Sequence, residues 1–190
     1  SNEDRFKYYI TKSKLFNNIN LINDALKEIN KSLLLNPKSR EALLHRAYLH
    51  RRNKNFEESE RDYTRVISIA PNDFHLYHSR AENYSYFKKY DLAEKDYSKV
   101  IELDPFNYKR YRDRARFYED RKVGKYKLAE KDYSKAIELN PLNSDRYEDR
   151  ADFYEGKKVK KYDLAEKDYT KAIEMDSLNY RRYRDRARFY

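Results

Sequence analysis

A single pattern of apolar and polar positions recurs along the chain. In its clearest copy, residues 126–141 (YKLAEKDYSKAIELNP), apolar residues fall three, four and seven positions apart, which predicts a helix with one buried face. Near-identical copies begin at Tyr90 and Tyr162, a looser copy begins at Phe56, and a faint one begins at Ile22. Because one helical pattern returns every 34 to 36 residues, the chain is predicted to consist of stacked supersecondary units.

Every copy ends at the same position of the repeat, and a potential helix-capping residue stands two positions later. The residues at this site are Pro37, Pro71, Pro105, Pro141 and Ser177. Proline ends a helix because it cannot donate the next backbone hydrogen bond. The potential caps, whose side chains can accept hydrogen bonds from the free amides of a new helix, are Ser39, Asp73, Asn107, Asn143 and Asn179. Each unit is therefore predicted to be a helical hairpin.

These hairpins predict an all-α fold, an α-solenoid of antiparallel helical hairpins that forms one array over residues 1–190. The expected hairpins span residues 3–37, 40–71, 74–105, 108–141 and 144–177, and a terminal helix spans 180–190. Hairpins four and five carry two extra residues at the turn between their helices, around 122–123 and 158–159. Charged residues make up 40 % of the chain. A solenoid tolerates this content because each unit buries surface only against its neighbours.

The hairpin resembles the tetratricopeptide repeat. In that family the first helix carries a large residue, a small one four positions later and an aromatic one after three more, as Tyr111, Ala115 and Tyr118 do here. The family's second helix carries aromatic, Ala, aromatic and Ala before proline, and the matching residues are Tyr126, Ala129, Tyr133, Ala136 and Pro141. The resemblance implies a right-handed superhelix whose first helices line a concave groove for peptides or partner proteins. It further implies a non-enzymatic scaffold for protein–protein or protein–peptide interaction.

The chain departs from the family pattern by placing charges on facing helices. Before the small residue of the first helix, where the family commonly has leucine, stand Arg46, Arg80, Arg114, Arg150 and Arg186. Just before the aromatic residue of the second helix stand Asp62, Asp96, Asp132 and Asp168. Because a half-buried arginine needs a partner of opposite charge, these residues are predicted to form ion pairs inside each hairpin rather than a ligand site.

The groove of hairpins two to four is the predicted contact surface for a partner. The positions that should face it hold Leu44, His45, Tyr48, His75, His78, Glu82, Tyr86, Lys109, Arg112 and Arg116. Histidine and tyrosine offer an adaptable polar and aromatic surface for a peptide. Three of the histidines with Glu82 could also be drawn as a metal site. Such spacings arise freely by chance, so neither a metal nor a cofactor is expected.

Charges on adjacent first helices are also complementary further along the chain. Arg112 is expected to face Glu148, and Arg116 is expected to lie beside Asp152. A ladder of such pairs would fix the stacking of the repeats, although exposed pairs stabilise by only about 0–1 kcal/mol each. This structural role is favoured over a charged floor for a bound peptide.

Other functions receive less support from the sequence. The family's clamp for a peptide's C-terminal carboxylate is absent, since the corresponding positions hold Ile10, Lys14, His45, His75 and Ser79. Nucleic-acid association is the alternative function because the net charge is +10. However, the charge changes sign between hairpins and does not form a continuous basic stripe. An enzyme is not expected, since the sequence has no cysteine, no HExxH motif and no phosphate-binding glycine loop.

The sequence also suggests a location and a mode of self-association. No apolar run is long enough to span a membrane, and a cytoplasmic protein is favoured. The helix at 180–190 has no second helix to cover it, so Tyr183, Ala187, Phe189 and Tyr190 should be partly uncovered. Because an uncovered apolar patch tends to find a partner, end-to-end self-association through this helix is predicted.

Overall fold

The computed structural model describes residues 1–120, 122–178, 183, 186 and 187. These residues form ten α-helices and no strand. In chain order the helices are α1 (Asn2–Asn18), α2 (Ile22–Leu35), α3 (Arg40–Arg52), α4 (Phe56–Ile69), α5 (Phe74–Tyr86), α6 (Tyr90–Leu103), α7 (Tyr108–Glu119), α8 (Tyr126–Leu139), α9 (Ser144–Glu155) and α10 (Tyr162–Met175). The all-α helical-repeat fold predicted from the periodicity is confirmed.

Four first helices begin at the predicted cap residues. The side chains of Ser39, Asp73, Asn107 and Asn143 accept hydrogen bonds of 2.9–3.2 Å from amides in the first turn of α3, α5, α7 and α9. Each bond satisfies an amide that has no partner within its helix. The fifth predicted cap, Asn179, lies outside the described residues.

The helices fall into two compact units, residues 1–99 and residues 100–190. In the first unit α1 packs on α2 and α3 packs on α4, while successive hairpins meet through α2 with α3 and α4 with α5. The core of this unit is aliphatic, and its fully buried side chains include Ile29, Leu43, Leu49, Val66 and Leu76. The apolar face predicted for each helix therefore points into this core.

In the second unit α7 packs on α8, α9 packs on α10, and α8 meets α9. Its core combines small residues with large aromatic ones, among them Ala129, Ala165, Tyr133, Phe153 and Tyr169. Alanine lets two helix backbones approach closely, and the rings fill the space beside them. Four of the tyrosines that recur in the sequence pattern are thus buried in this unit: Tyr118, Tyr133, Tyr154 and Tyr169.

The predicted arginine–aspartate ion pairs are confirmed in four hairpins. In each pair the arginine Nε and Nη2 donate to the two aspartate oxygens at 2.6–2.9 Å. The pairs are Arg46–Asp62, Arg80–Asp96, Arg114–Asp132 and Arg150–Asp168. The arginine side chains are 16–21 % exposed and the aspartate side chains 2–9 % exposed. Each carboxylate is therefore buried together with its counter-charge, as two-pronged recognition by a guanidinium allows.

Three of these arginines also contact the preceding hairpin. Their Nη1 atoms donate to side chains on its second helix, in the contacts Arg46–Asn30 at 2.8 Å, Arg80–Thr64 at 3.1 Å and Arg150–Ser134 at 3.0 Å. One arginine therefore connects three helices: its own, the second helix of its hairpin and the second helix of the hairpin before.

The first hairpin contains an equivalent pair built from different residues. Lys12 and Glu28 lie 34 positions before Arg46 and Asp62, and the Lys12 Nζ is 3.7 Å from the Glu28 carboxylate. Glu28 is buried, and a 2.8 Å hydrogen bond from Lys31 is the main reason why its pKa is lowered. This pair was not predicted, because the recurring residue types are arginine and aspartate.

The turns within the hairpins share a left-handed residue just before the second helix begins. This residue is Asn20, Lys54, Lys88, Gly124 or Lys160, with φ between 51° and 64°. The amide that follows it donates to a carbonyl group of the first helix. The two extra residues of hairpins four and five lie in turns whose backbone amides donate hydrogen bonds to the carbonyl oxygens of Asp120 and Gly156. The insertions therefore lengthen both turns and leave the left-handed position in place.

Several sequence predictions concern parts of the chain that the structure does not describe. The terminal helix at 180–190 falls mostly outside the described residues, as do Phe189 and Tyr190. Self-association through this helix and a single continuous array of hairpins therefore stay predictions. Among the described residues, no helix is both long and apolar enough to cross a membrane.

Candidate functional site

The predicted groove residues of the first unit lie on α3 and α5, the first helices of hairpins two and three. They form what we call the α3–α5 surface: Leu44, His45, Tyr48, His75, His78, Glu82 and Tyr86. Arg40, at the start of α3, forms an ion pair with Asp73, the N-cap residue of α5. This contact links the starts of the two helices.

Four side chains of the α3–α5 surface are exposed: Tyr48, His75, Glu82 and Tyr86. Tyr48 is 36 % exposed, and the guanidinium groups of Arg51 and Arg52 lie 5.4 and 6.0 Å from its ring centre. Tyr86 is 51 % exposed and packs edge-on against Phe87 at 5.0 Å. Two large rings with polar hydroxyl groups are therefore open to solvent on neighbouring first helices.

Another member of this surface, His45, is held by a buried polar contact. Its Nε2 lies 3.0 Å from the hydroxyl oxygen of Ser13, which in turn donates to the carbonyl oxygen of Ala25 at 2.7 Å. Because the serine proton is used in that second bond, Nε2 of His45 is the donor to Ser13. Burial lowers the pKa of His45, and the charge of Lys14 lowers it further. This histidine therefore links α3 to the first hairpin.

The two remaining members, Leu44 and His78, are half-buried. Leu44 packs against the aliphatic core of the first unit. The His78 ring meets Tyr97 edge-on, with 5.7 Å between ring centres. The exposed part of the surface thus consists mainly of the four side chains named first.

The other predicted groove residues lie on α7 in the second unit. Lys109 is exposed. Arg112 is half-buried, and its Nη2 is 3.1 Å from Asp113 on the same helix. Arg116 is exposed, and its Nη2 donates to Asp149 on α9 at 2.9 Å. An ion pair between adjacent first helices is therefore present, as the charge pattern indicates.

The observed partner of Arg116 lies one helical turn before the expected one. Arg116 contacts Asp149, which lies closer to the start of α9 than Asp152, and its place beside Asp152 stays a prediction. Side chains of a helix lean toward its N-terminus, so a long arginine reaches the level of the preceding turn. The predicted contact of Arg112 with Glu148 stays a prediction.

A cleft of about 570 Å³ opens in the second unit, and we call it the turn cleft. Its walls come from the end of α7, from α8 and α9, and from the lengthened turn after α9. The lining residues are Arg116, Glu119, Asp120, Tyr126, Tyr133, Asp149, Asp152, Phe153, Gly156, Lys157, Lys158 and Val159. A volume of this size accommodates a side chain together with adjoining main chain.

The turn cleft contains a half-buried carboxylate whose electrostatic surroundings are unfavourable. Glu119 accepts a 2.8 Å hydrogen bond from the hydroxyl of Tyr133. Burial is the main reason why the pKa of Glu119 is raised, and the charges of Asp149 and Asp152 raise it further. The Tyr133 hydrogen bond and the charge of Arg116 act in the opposite direction but do not outweigh burial. A cation entering the cleft would therefore be attracted to Glu119.

The turn cleft was not predicted from the sequence, although Arg116 belongs to the predicted contact surface and Asp152 to the predicted ladder of charges. The two extra residues in the turns of hairpins four and five were a usable signal, because the lengthened turn supplies Lys157, Lys158 and Val159 to the wall. Within the described part of the chain, no group of three histidine, aspartate or glutamate side chains is arranged to hold a metal ion.

Two family models of the tetratricopeptide repeat match the chain. One matches residues 20–74, and the other matches residues 74–107 and 117–141. Together they cover more than half of the chain. The chain belongs to the tetratricopeptide repeat family. This membership supports a scaffold for protein–protein interaction, and none of the comparisons supports the nucleic-acid alternative. A comparison with curated proteins finds no significant match.

Solved structures of tetratricopeptide repeat proteins share the fold. The MamA protein superposes with a TM-score of 0.67 at 18 % identity, covering 92 % of this chain and 93 % of that one. PilF of Pseudomonas aeruginosa gives a TM-score of 0.65 at 15 % identity, over 95 % of this chain and 81 % of that one. YrrB, described as a TPR protein with an unusual peptide-binding site, gives 0.60 at 15 % identity, over 94 % and 90 %. At these identities the likeness shows the fold alone.

Proposed function

We propose that this tetratricopeptide repeat protein is a non-enzymatic scaffold that binds a protein or peptide partner through the first helices of its hairpins. In the first unit the contact is the α3–α5 surface. In the second unit it includes Lys109, Arg112 and Arg116. The observation that carries the proposal is that Tyr48 and Tyr86, on neighbouring first helices, are exposed, whereas Tyr63 and Tyr84 of the same unit are buried. Exposed tyrosine is a frequent source of binding energy at protein interfaces.

A pull-down with matched variants tests this proposal. The purified chain is used as bait in source-cell lysate at physiological salt, and it is compared with a Tyr48→Ala, Tyr86→Ala double variant. The control variant is Leu34→Ala, Ile69→Ala, which removes two exposed apolar side chains (80 % and 46 % exposed) from second helices. Circular dichroism spectra establish that all three proteins are equally helical.

The expected result is one defined protein partner that the wild type and the control recover and the double variant does not. Equal recovery by the double variant would contradict the use of the α3–α5 surface. Each lysate is also treated with nuclease. Recovery that disappears after this treatment would contradict a protein scaffold and indicate a nucleic-acid partner instead.

A further inference from the structure

The turn cleft combines aromatic walls with an excess of acidic groups. Among its described lining residues, Glu119, Asp120, Asp149 and Asp152 are acidic, while Arg116, Lys157 and Lys158 are basic. Tyr126 is half-buried and offers aromatic surface in the same lining, whereas Tyr133 and Phe153 are buried behind it. A planar cation that stacks on a ring while it pairs with a carboxylate suits such a lining.

The acidic side chains of the cleft differ in the number of cationic partners that they contact. Asp149 has two cationic partners, Arg116 at 2.9 Å and Arg146 at 2.7 Å. Glu119 has none within ion-pair distance among the described residues, and the group in contact with its carboxylate is the neutral hydroxyl of Tyr133. A partly desolvated carboxylate in an open cleft is best stabilised by a cation that arrives from outside.

The second unit already binds arginine side chains in this manner within its own fold. Arg146 lies 4.8 Å from the ring centre of Tyr108 while it pairs with Asp149. Arg150 lies 5.7 Å from the ring centre of Tyr154 while it pairs with Asp168. A ring on one side and a carboxylate on the other is thus the recurring environment of a guanidinium group in this unit.

We propose that the turn cleft binds an arginine side chain of the partner, with the guanidinium group paired to Glu119 and stacked on the ring of Tyr126. The inference rests on the proposed scaffold function and specifies the chemistry of one of its contacts. Lysine fits less well, because an ammonium group offers neither the flat face for stacking nor the two parallel donors. Lys157 and Lys158 also line the cleft, but both are exposed on the turn, where water screens their charges.

Nuclear magnetic resonance titration of the full chain with a minimal probe tests the inference. The probe is N-acetyl-arginine-N-methylamide, and the comparison compound is its citrulline counterpart, which has nearly the same shape but no charge. We expect the arginine probe to shift the amide signals of Gly156 and Val159. We expect the citrulline compound to bind about tenfold more weakly, the usual effect of losing one charge-assisted hydrogen bond.

Two variants locate the binding to Glu119. Glu119→Gln retains the shape of the side chain and should weaken the arginine probe by about tenfold. Glu138→Gln, an exposed glutamate of α8 outside the cleft lining, should leave the affinity unchanged. The comparison of arginine with citrulline needs only the wild-type protein, so it stands even if Glu119→Gln folds poorly.

Three outcomes would overturn the inference: equal binding of the citrulline compound, shifts confined to amides outside the cleft, or no binding of the arginine probe. None of them would affect the pull-down, whose variants change residues of the first unit only. Conversely, loss of the partner protein from the pull-down would remove the proposed scaffold function and leave the titration as a separate measurement of the cleft.

Discussion

Replacing Asp96 with alanine would test whether the arginine–aspartate pairs hold the hairpins together. Asp96 accepts two hydrogen bonds from Arg80 at 2.6 and 2.9 Å, and its side chain is 7 % exposed. Without it, Arg80 still donates to Thr64 but has lost its counter-charge. Breaking a buried pair costs about 3–5 kcal/mol. Because Arg80 keeps 16 % of its side chain in solvent, we expect the free energy of unfolding to fall by about 3 kcal/mol.

The opposite change and the combined change show whether the effect belongs to the pair. Arg80→Leu, which introduces the residue common in the family, leaves Asp96 buried alone and should cost a similar amount. The double variant Arg80→Leu, Asp96→Ala removes both charges and should lie within about 1 kcal/mol of the wild type. The coupling between the two changes should therefore be at least about 2 kcal/mol.

Urea unfolding followed by the helical circular dichroism signal measures these differences. Lys95→Ala, an exposed neighbour on α6, serves as the control and should change the stability by about 0.5 kcal/mol or less. The slope of the transition shows whether the chain still unfolds cooperatively. A loss below about 1 kcal/mol for Asp96→Ala, or additive single effects, would refute the reasoning.

Three further predictions concern other buried polar groups. The hydroxyl of Ser59 contacts the amide oxygen of fully buried Asn83 at 2.8 Å. Ser59→Ala should lower the free energy of unfolding in urea by about 1–3 kcal/mol, and adding Asn83→Leu should restore most of this loss because both polar groups are then gone. Burial raises the pKa of Tyr154 to about 12, so the stability contributed by this tyrosine is complete below about pH 10 and is lost as the pH rises toward about 12. Over that pH range the urea midpoint of Tyr154→Phe should fall less steeply than that of the wild type. Burial also raises the pKa of Glu119, so ionisation of this carboxyl group at neutral pH opposes folding. Glu119→Gln should therefore raise the urea midpoint at about pH 7 but not below about pH 4, and an equal gain at both pH values would show that ionisation of Glu119 is not the cause.

The fold could be predicted from the sequence because its determinants recur at a fixed period. A helix cap such as Asn107 and a charge pair such as Arg114 with Asp132 each appear at the same position in several hairpins. Because the same residue types recur there, the pattern can be distinguished from a chance arrangement. Lys12 and Glu28 show the limit of this reasoning. They occupy the same two positions in the first hairpin, but a search for recurring residue types misses a pair that keeps the charges and changes the side chains.

The candidate site could be predicted less well, because it depends on side-chain direction and on the paths of the turns. The sequence predicts that Arg116 meets an acidic residue of α9, but the contact with Asp149 depends on the tilt of side chains along α7. The turn cleft requires the conformation of the loop that contains Gly156, and two inserted residues alone do not specify a cavity. The exposure of Tyr86 likewise depends on the packing of α5 and not on its place in the repeat pattern.

Charged groups at helix contacts have two different roles in this chain. Arg80 and Asp96 are counter-charges for each other. The cost of removing them from water is therefore offset within the hairpin, and no ligand is needed. Glu119 contacts a neutral hydroxyl, and burial raises its pKa, with a further increase from Asp149 and Asp152, so the free protein bears a cost that a bound cation can relieve. A ligand that binds only the folded state then adds to stability in proportion to its affinity. A charge content of 40 % therefore does not by itself mark a binding surface. A better indicator is a half-buried charge that has no ion-pair partner among the described residues of its own hairpin.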